Sequence, residues 1–326
     1  MPHALAFEAF GPPAEVLSWR ETSSGPLGAG QVRVRIEASP INPADLNRIE
    51  GTYGTRPPLP AVGGVEGAAR VVETGSDVES VKPGDLVRLR GGGYWREEAV
   101  VPAEEVVPFP PGLTAEQAAL FQVNPATAWG LLHEFARLQP GDWVVQNAAT
   151  SDVGAHVIAL ARHYGWRTLN LVRREGDVAP LKAAGADAVT AAADAESLLR
   201  ETGGARPVLA LNAVGGESAA LLAKVLAPDA AHVTYGAMGR QPVKLSNRAL
   251  IFENIAFHGF WVSRWRTKAD PVRVAAMEGE LAGLFAGGVL RARVEARYAF
   301  PQYREALAHA AREGKKGKVL FVPGQK

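Results

Sequence analysis

The stretch with the clearest claim to chemistry is residues 143–164, WVVQNAATSDVGAHVIALARHY. Residues 143–146 form a short apolar run of the kind a fully buried parallel strand shows. Residues 147–152 are small and polar, as a tight turn requires. From there the apolar side chains fall at Val153, Val157, Ile158, Leu160 and Ala161, which is helical spacing. A strand that enters a helix through such a turn leaves the first free N–H groups and the positive end of the helix dipole beside it, a setting suited to a phosphate. The turn at 148–154 reads A-A-T-S-D-V-G, not the full G-x-G-x-x-G. Spacing alone therefore admits an ordinary βα crossover with no ligand equally well.

A second group of candidate residues follows from the first. If 143–164 opens a dinucleotide-binding unit, the next strand is 168–172. In NAD-specific folds an acidic residue about 20 positions beyond the turn binds the ribose 2′-hydroxyl. Here Arg173 and Arg174 stand 19 and 20 residues after Gly154. Two guanidinium groups would attract a 2′-phosphate and offer it fork-shaped donors, which favours NADP over NAD. The competing reading is a pair of solvated arginines at the start of a loop.

The elements around these residues set the frame. A chain of 326 residues is long enough for two domains of ordinary size. Its net charge is +1, from 35 basic and 34 acidic residues, which gives no electrostatic reason to expect nucleic acid or an anionic membrane as partner. With no cysteine, disulfides, Cys-ligated zinc and thiolate nucleophiles are excluded. The seven histidines form no His-x-x-x-His pair, and Asp45 and Glu66 have no histidine nearby, so no metal site is expected. No run of 18 apolar residues occurs and MPHALAFEAF lacks a signal-peptide pattern, so a soluble cytoplasmic protein is the default expectation.

Residues 1–120 read as short strands separated by turns such as Pro83-Gly84-Asp85, with 31–38 alternating apolar and polar. Residues 114–137 turn helical. From Trp143 apolar strands recur at 143–146, 167–172, 187–190, 207–212, 231–235 and 255–260, with helical segments between most of them, which predicts a parallel sheet covered on both faces. A long amphipathic helix at 269–287 precedes β-like pieces that rejoin the first domain. The expected boundaries are 1–122 with 269–326 for the β-rich domain and 123–268 for the parallel-sheet domain.

Several stretches carry a family resemblance: INPADLNRIEGTYG (41–54), LPAVGGVEGAARVVETGSDV (59–78), KPGDLV (82–87), VNPATAW (123–129), LQPGDWVVQNA (138–148), LNAVGG (211–216), VTYGAMGRQPV (233–243) and FHGFWVSRW (257–265). With them the chain resembles the zinc-free medium-chain dehydrogenase/reductases, and among these the mitochondrial-type trans-2-enoyl-thioester reductases. The resemblance implies an α/β chain with a GroES-like β-rich catalytic domain and a Rossmann doubly wound parallel-sheet domain. It also implies NADPH-dependent reduction of an activated carbon–carbon double bond, a small-molecule substrate and a homodimer. A quinone oxidoreductase of the same fold, or a non-catalytic NADP-binding protein on it, are the alternatives.

The resemblance also implies site residues. Tyr53 matches a tyrosine that hydrogen-bonds the thioester carbonyl or donates a proton; as a lone loop tyrosine it would pass for a surface residue. Asn124, also assigned a catalytic part, falls with Thr127 near nicotinamide and substrate. Thr150, Ser151, Asp152, Val153 and Gly154 match the pyrophosphate turn, and Arg173 with Arg174 the 2′-phosphate site. Tyr235, Gly236, Ala237 and Met238, with Phe260, Trp261, Val262 and Ser263, match the nicotinamide side, and Lys318 a cofactor-contacting lysine that otherwise reads as part of a solvated KKGK run. Trp261 and Trp265 read equally as substrate contact and as packing. Hydride arrival at the β-carbon builds negative charge on the carbonyl oxygen. A phenol, ordinarily titrating near about pH 10, can donate a hydrogen bond there at neutral pH. Asp152 stands where relatives usually have glycine, and reads either as a helix-capping carboxylate or as a repulsive neighbour for phosphate.

Overall fold

In the computed structural model, which describes residues 1–23 and 25–324, the chain divides into two compact units. One comprises Met1–Gln122 with Arg291–Lys326, the other Val123–Leu290.

The first unit is β-rich. A seven-stranded sheet runs Val294–Tyr298, Lys318–Phe321, Gln31–Pro40, Ala68–Thr74, Leu86–Leu89, Val106–Pro108, with Glu98–Pro102 also paired to Gln31–Pro40. A three-stranded sheet sets His3–Phe7 between Ser18–Glu21 and Ala61–Val62. The alternation in 31–38 has its expected cause: Val32, Val34, Ile36 and Ala38 face the core and the residues between them face outward. The end of the chain closes this core. Phe321, next to Leu320, which pairs with Pro40, packs edge-on to Trp95 at 5.2 Å and against Phe300 at 5.3 Å. Tyr94 is fully buried, donates to the Leu89 carbonyl at 3.2 Å, and burial pushes its phenol up to about 12.

The second unit is a six-stranded, all-parallel sheet in the order Ala188–Thr190, Arg167–Leu171, Trp143–Gln146, Leu209–Asn212, Ala231–Thr234, Ala256–Gly259. All six expected strands are present, and the strand order reverses between the third and fourth positions, as in doubly wound dinucleotide folds. The helical stretch expected at 114–137 is two helices, Ala115–Ala119 and Asn124–His133. Thr114 closes a capping box on the first, and Pro125 sits in the first turn of the second, where a missing N–H costs nothing.

One boundary is corrected. The helix Pro271–Ala286 falls in the second unit, not the first. It is fastened to the helix Asn124–His133: Trp129 Nε1 donates to Glu280 at 3.1 Å, and the Arg273 guanidinium lies 5.4 Å over the Trp129 ring. Arg273 also donates to Glu134 at 2.9 Å and 2.5 Å. Periodicity located the helix but carried no information on which sheet its apolar face would meet.

Gly64 shows how tightly the first unit packs. It sits at φ +91°, and a Cβ there would lie 2.8 Å from the Trp95 backbone nitrogen. Gly64→Ala is expected to cost about 1–3 kcal/mol, read as a lower midpoint in urea unfolding. An unchanged midpoint would contradict this packing.

Candidate active site

Nearly all the sequence-expected cofactor residues follow the carboxyl ends of the parallel strands. Thr150–Gly154 come after Trp143–Gln146, Arg173 and Arg174 after Arg167–Leu171, Tyr235–Met238 after Ala231–Thr234, and Phe260–Ser263 after Ala256–Gly259. In a parallel sheet every such end lies on one edge, and ligands bind where the strand order reverses.

The turn is built by close contact. Ser151 caps the helix Asp152–Tyr164, its Oγ accepting from the Gly154 N–H at 3.1 Å. A Cβ on Gly154 would lie 2.6 Å from the Ala149 carbonyl oxygen, so only glycine lets the helix start this close to the turn. Thr150 is exposed at the tip and Val153 buried beneath it. Asp152 is buried, with its carboxylate 3.7 Å from His156 Nε2 one turn further along. Ser151, not Asp152, is thus the capping residue, and Asp152 is the first helical residue, with its side chain set against the helix flank.

The arginine pair divides its labour. Arg174 makes a two-pronged contact with Asp177, at 3.0 Å and 3.2 Å. Arg173 is exposed at the loop start.

The segment 235–243 runs alongside 212–216. Tyr235 N–H donates to the Asn212 carbonyl at 3.0 Å, Met238 N–H to Ala213 at 2.9 Å and Gly239 N–H to Val214 at 2.9 Å. The Tyr235 hydroxyl is shut away from solvent beside Ser151, and burial raises its pKa well above the ordinary phenol value. Gly236 is half-buried, while Ala237 and Met238 are exposed. Asn124 and Thr127, one helical turn apart on Asn124–His133, are both buried, and among the described residues no hydrogen-bond partner meets the Asn124 Nδ2. Phe260 is core rather than lining: its ring fills the space where a Gly130 side chain would be, and packs edge-on against Phe135 at 5.6 Å. Trp261 is half-buried at the head of the helix Val262–Lys268, with Val262 buried and Ser263 exposed. Trp265 packs against Trp129 at 5.9 Å, the packing reading of that residue.

Sequence reasoning missed what holds these loops. Asn147 Nδ2 donates to Asn212 Oδ1 at 2.8 Å and to Ser218 Oγ at 3.0 Å, while Asn147 Oδ1 accepts from the Ala213 N–H at 2.7 Å. Asn212 Oδ1 also takes the Val214 and Gly215 N–H groups at 3.1 Å and 3.0 Å, and its Nδ2 donates to Thr234 Oγ1 at 3.0 Å. On the other side Gln146 Nε2 donates to the Gly154 carbonyl at 3.1 Å and to Asn170 Oδ1 at 2.7 Å. The signal was in the letters: WVVQN and LALN end an apolar strand on an amide and RTLNL carries one within it, which a buried strand has no use for unless it is bonded.

In the first unit, Tyr53 is half-buried in the loop after the helix Pro43–Glu50. Gly51 ends that helix in the left-handed region, and the Thr52 and Tyr53 N–H groups both return to the Asn47 carbonyl, at 2.9 Å and 3.1 Å. Lys318 is not a solvated charge: its Nζ donates to Asn42 Oδ1 at 2.5 Å. Among the described residues no group of three or more His, Asp or Glu side chains could hold a metal ion. No helix there is long and apolar enough to cross a membrane.

A GroES-like β unit joined to a six-stranded Rossmann sheet defines a medium-chain dehydrogenase/reductase. Residues 28–111 match the alcohol dehydrogenase GroES-like domain and 153–276 the zinc-binding dehydrogenase domain. The chain is 39% identical over 315 residues to the human mitochondrial enoyl-[acyl-carrier-protein] reductase, covering 93% of this chain and 84% of that one. It superposes on the Etr1p/NADP/crotonyl-CoA complex with a TM-score of 0.90 at 27% identity, over 98% of this chain and 99% of that one. A quinone oxidoreductase from Pseudomonas syringae pv. tomato superposes with a TM-score of 0.84 at 25% identity, over 99% and 100%. The chain belongs to the mitochondrial-type enoyl-[acyl-carrier-protein] reductase family. The expectation of a cytoplasmic protein is corrected by the same comparison, since the relatives are named mitochondrial.

The amide bonds between strands yield a direct test. Asn147→Leu removes one partner from several buried groups and is expected to cost about 1–3 kcal/mol for each group left unbonded. The measurement is the thermal midpoint. A midpoint within a degree of the parent would mean that these bonds do not hold the strand ends.

Proposed function

We propose that the chain is an NADPH-dependent reductase of the carbon–carbon double bond of 2-enoyl thioesters, with the unit Val123–Leu290 as its NADP-binding portion. The support is the family membership together with one structural feature: a glycine-tight strand–turn–helix with an exposed arginine at the neighbouring strand end. The residues present fit the cofactor. The buried Asn124 Nδ2 lacks a partner among the described residues, and Gly154 lets the helix start close against the turn at Ala149.

Bound NADPH supplies a hydride to the β-carbon. The chain's part is to hold, orient and polarise. Thr150–Gly154 and the dipole of the helix behind them hold the pyrophosphate. Arg173 takes the 2′-phosphate, with Arg174 fixed by Asp177 as second donor. Asn124, Thr127 and the backbone of Tyr235–Met238 and Phe260–Ser263 orient the nicotinamide, and Trp261 excludes water from the substrate. Lys318 keeps its bond to Asn42 and offers its remaining donors to the cofactor. Tyr53 donates a hydrogen bond to the thioester carbonyl oxygen as negative charge gathers there and keeps its proton, and a proton of solvent origin completes the saturated product at the α-carbon.

We further propose a homodimer. Ala256–Gly259 ends the six-stranded sheet with Ala256, His258 and Gly259 exposed, and the preceding Ile251 and Phe252 are 69% and 78% exposed. The second reading, a quinone reductase, is favoured by the likeness to the Pseudomonas syringae enzyme.

Tyr53→Phe is expected to lower kcat on crotonyl-CoA by about 100-fold to 1000-fold, the usual loss when one donor leaves an oxyanion site. Full quinone turnover in that variant, with thioester turnover never detected, would favour the second reading. Arg173→Ala is expected to weaken NADPH about 10-fold to 100-fold by calorimetry and to leave NADH almost unchanged. Equal losses for both would remove the 2′-phosphate assignment.

A further inference from the structure

The first unit buries two acidic side chains that the reaction described so far does not use. Asp45 and Glu66 are each 1% exposed. Asp45 is the third residue of the helix Pro43–Glu50, and its two carboxylate oxygens are divided between two elements. Oδ2 accepts from the Asn42 N–H at 2.8 Å, closing the helix's capping box, and Oδ1 accepts from the Val65 N–H at 2.6 Å. Asn42 is the hub: its Nδ2 donates to Glu66 Oε1 at 2.7 Å, and its Oδ1 accepts from Lys318 Nζ on the last strand. A ten-residue reach from Asn42 to Gly51 thus begins in three buried polar groups and the half-buried Lys318, and ends in the left-handed glycine that turns the chain into the Tyr53 loop.

We propose that Asp45 is a positioning residue for Tyr53: its carboxylate pins the first turn of the helix to the 63–67 segment, so that the last turn presents the tyrosine loop in one place. Eight residues form little more than two turns, too short to keep an orientation unless an end is fastened. Lys318 and Glu66, joined through Asn42, keep the pin in register. The proposal rests on Tyr53 acting at the carbonyl.

The groups facing Asp45 decide its titration. Burial raises it from 3.8 to about 7, against the pull of the Asn42 and Val65 amides, of Lys318 and of Arg48 on its own helix. Glu66 faces the same hub, accepting from Asn42 Nδ2. The sign separates positioning from mere stability. A carboxyl whose folded pKa is raised binds more protons in the native state, so its contribution makes the fold less stable as pH climbs from about 4 toward 7. The ionised form, however, accepts both amides at full strength, so activity should rise across the upper part of that window.

The experiment compares wild type, Asp45→Asn, Tyr53→Phe and the double variant, with crotonyl-CoA and NADPH between pH 6 and 9. Asp45→Asn keeps the size and one acceptor oxygen. Expected are a kcat lower by on the order of 10-fold, unchanged NADPH affinity, loss of the activity limb near pH 7, and no further loss when it is added to Tyr53→Phe. A wild-type kcat with the limb intact, or a loss that multiplies with that of Tyr53→Phe, would overturn the proposal. Hydrogen exchange keeps it testable apart from catalysis: the Thr52 and Tyr53 amides should exchange faster in Asp45→Asn while 143–164 does not change. If Tyr53→Phe keeps full turnover, the catalytic reading of Tyr53 falls by itself, and unchanged exchange at 52 and 53 would then overturn the positioning claim.

Discussion

The hydrogen bond between Asn147 and Asn212, 2.8 Å long and fully buried between the two central strands, is the constraint on which the second unit depends. Parallel strands bring their carboxyl ends to one edge but leave the loops there with no partner strand to define them. Here buried amides do that work. Asn212 collects the N–H groups of Val214 and Gly215, Asn147 collects that of Ala213, and Gln146 reaches forward to Gly154 in the first helical turn. Each amide is inside a low-dielectric layer where a lost partner is costly, so the set behaves as a single fixed piece. The turn at 148–154 and the segment 235–243 inherit their places from it.

The first unit meets the same problem with charge instead of amides. Its core is aliphatic and aromatic, closed by Trp95, Phe300 and Phe321, yet Asp45, Glu66 and Lys318 are drawn together around Asn42 at the start of a two-turn helix. Removing a charge from water is tolerable only where opposite charge and directed N–H groups replace the solvent. The gain is a loop whose path is set at both ends: by the carboxylate of Asp45 and by Gly51, where a Cβ would press against Phe10 at 3.0 Å.

The sequence revealed the strands well because each is either an unbroken apolar run or a clean alternation, and local pattern decides both. It placed the helix Pro271–Ala286 but not its unit, since an amphipathic stripe does not name the surface it will meet. Of the candidate site, spacing pointed to the turn and to Arg173 with Arg174, whereas Tyr53 entered only through family resemblance: a tyrosine between two glycines has no local signature. Asn147, Asn212 and Gln146 went unread because their role is fixed by partners up to 71 residues away. Asp45 and Glu66 bond to backbone amides and to Asn42, partners that leave no pattern in spacing. The contact of Arg174 with Asp177, three residues on, separates it from Arg173 in a way that the paired letters do not show.

The account stands most directly on what the chain reduces. NADPH oxidation should be followed with purified protein against crotonyl-CoA, longer 2-enoyl thioesters, simple enones and quinones at matched concentrations. The account predicts that the enoyl thioesters give the highest kcat/KM, with the saturated thioester as product by mass. NADPH oxidation supported by quinones alone would contradict it.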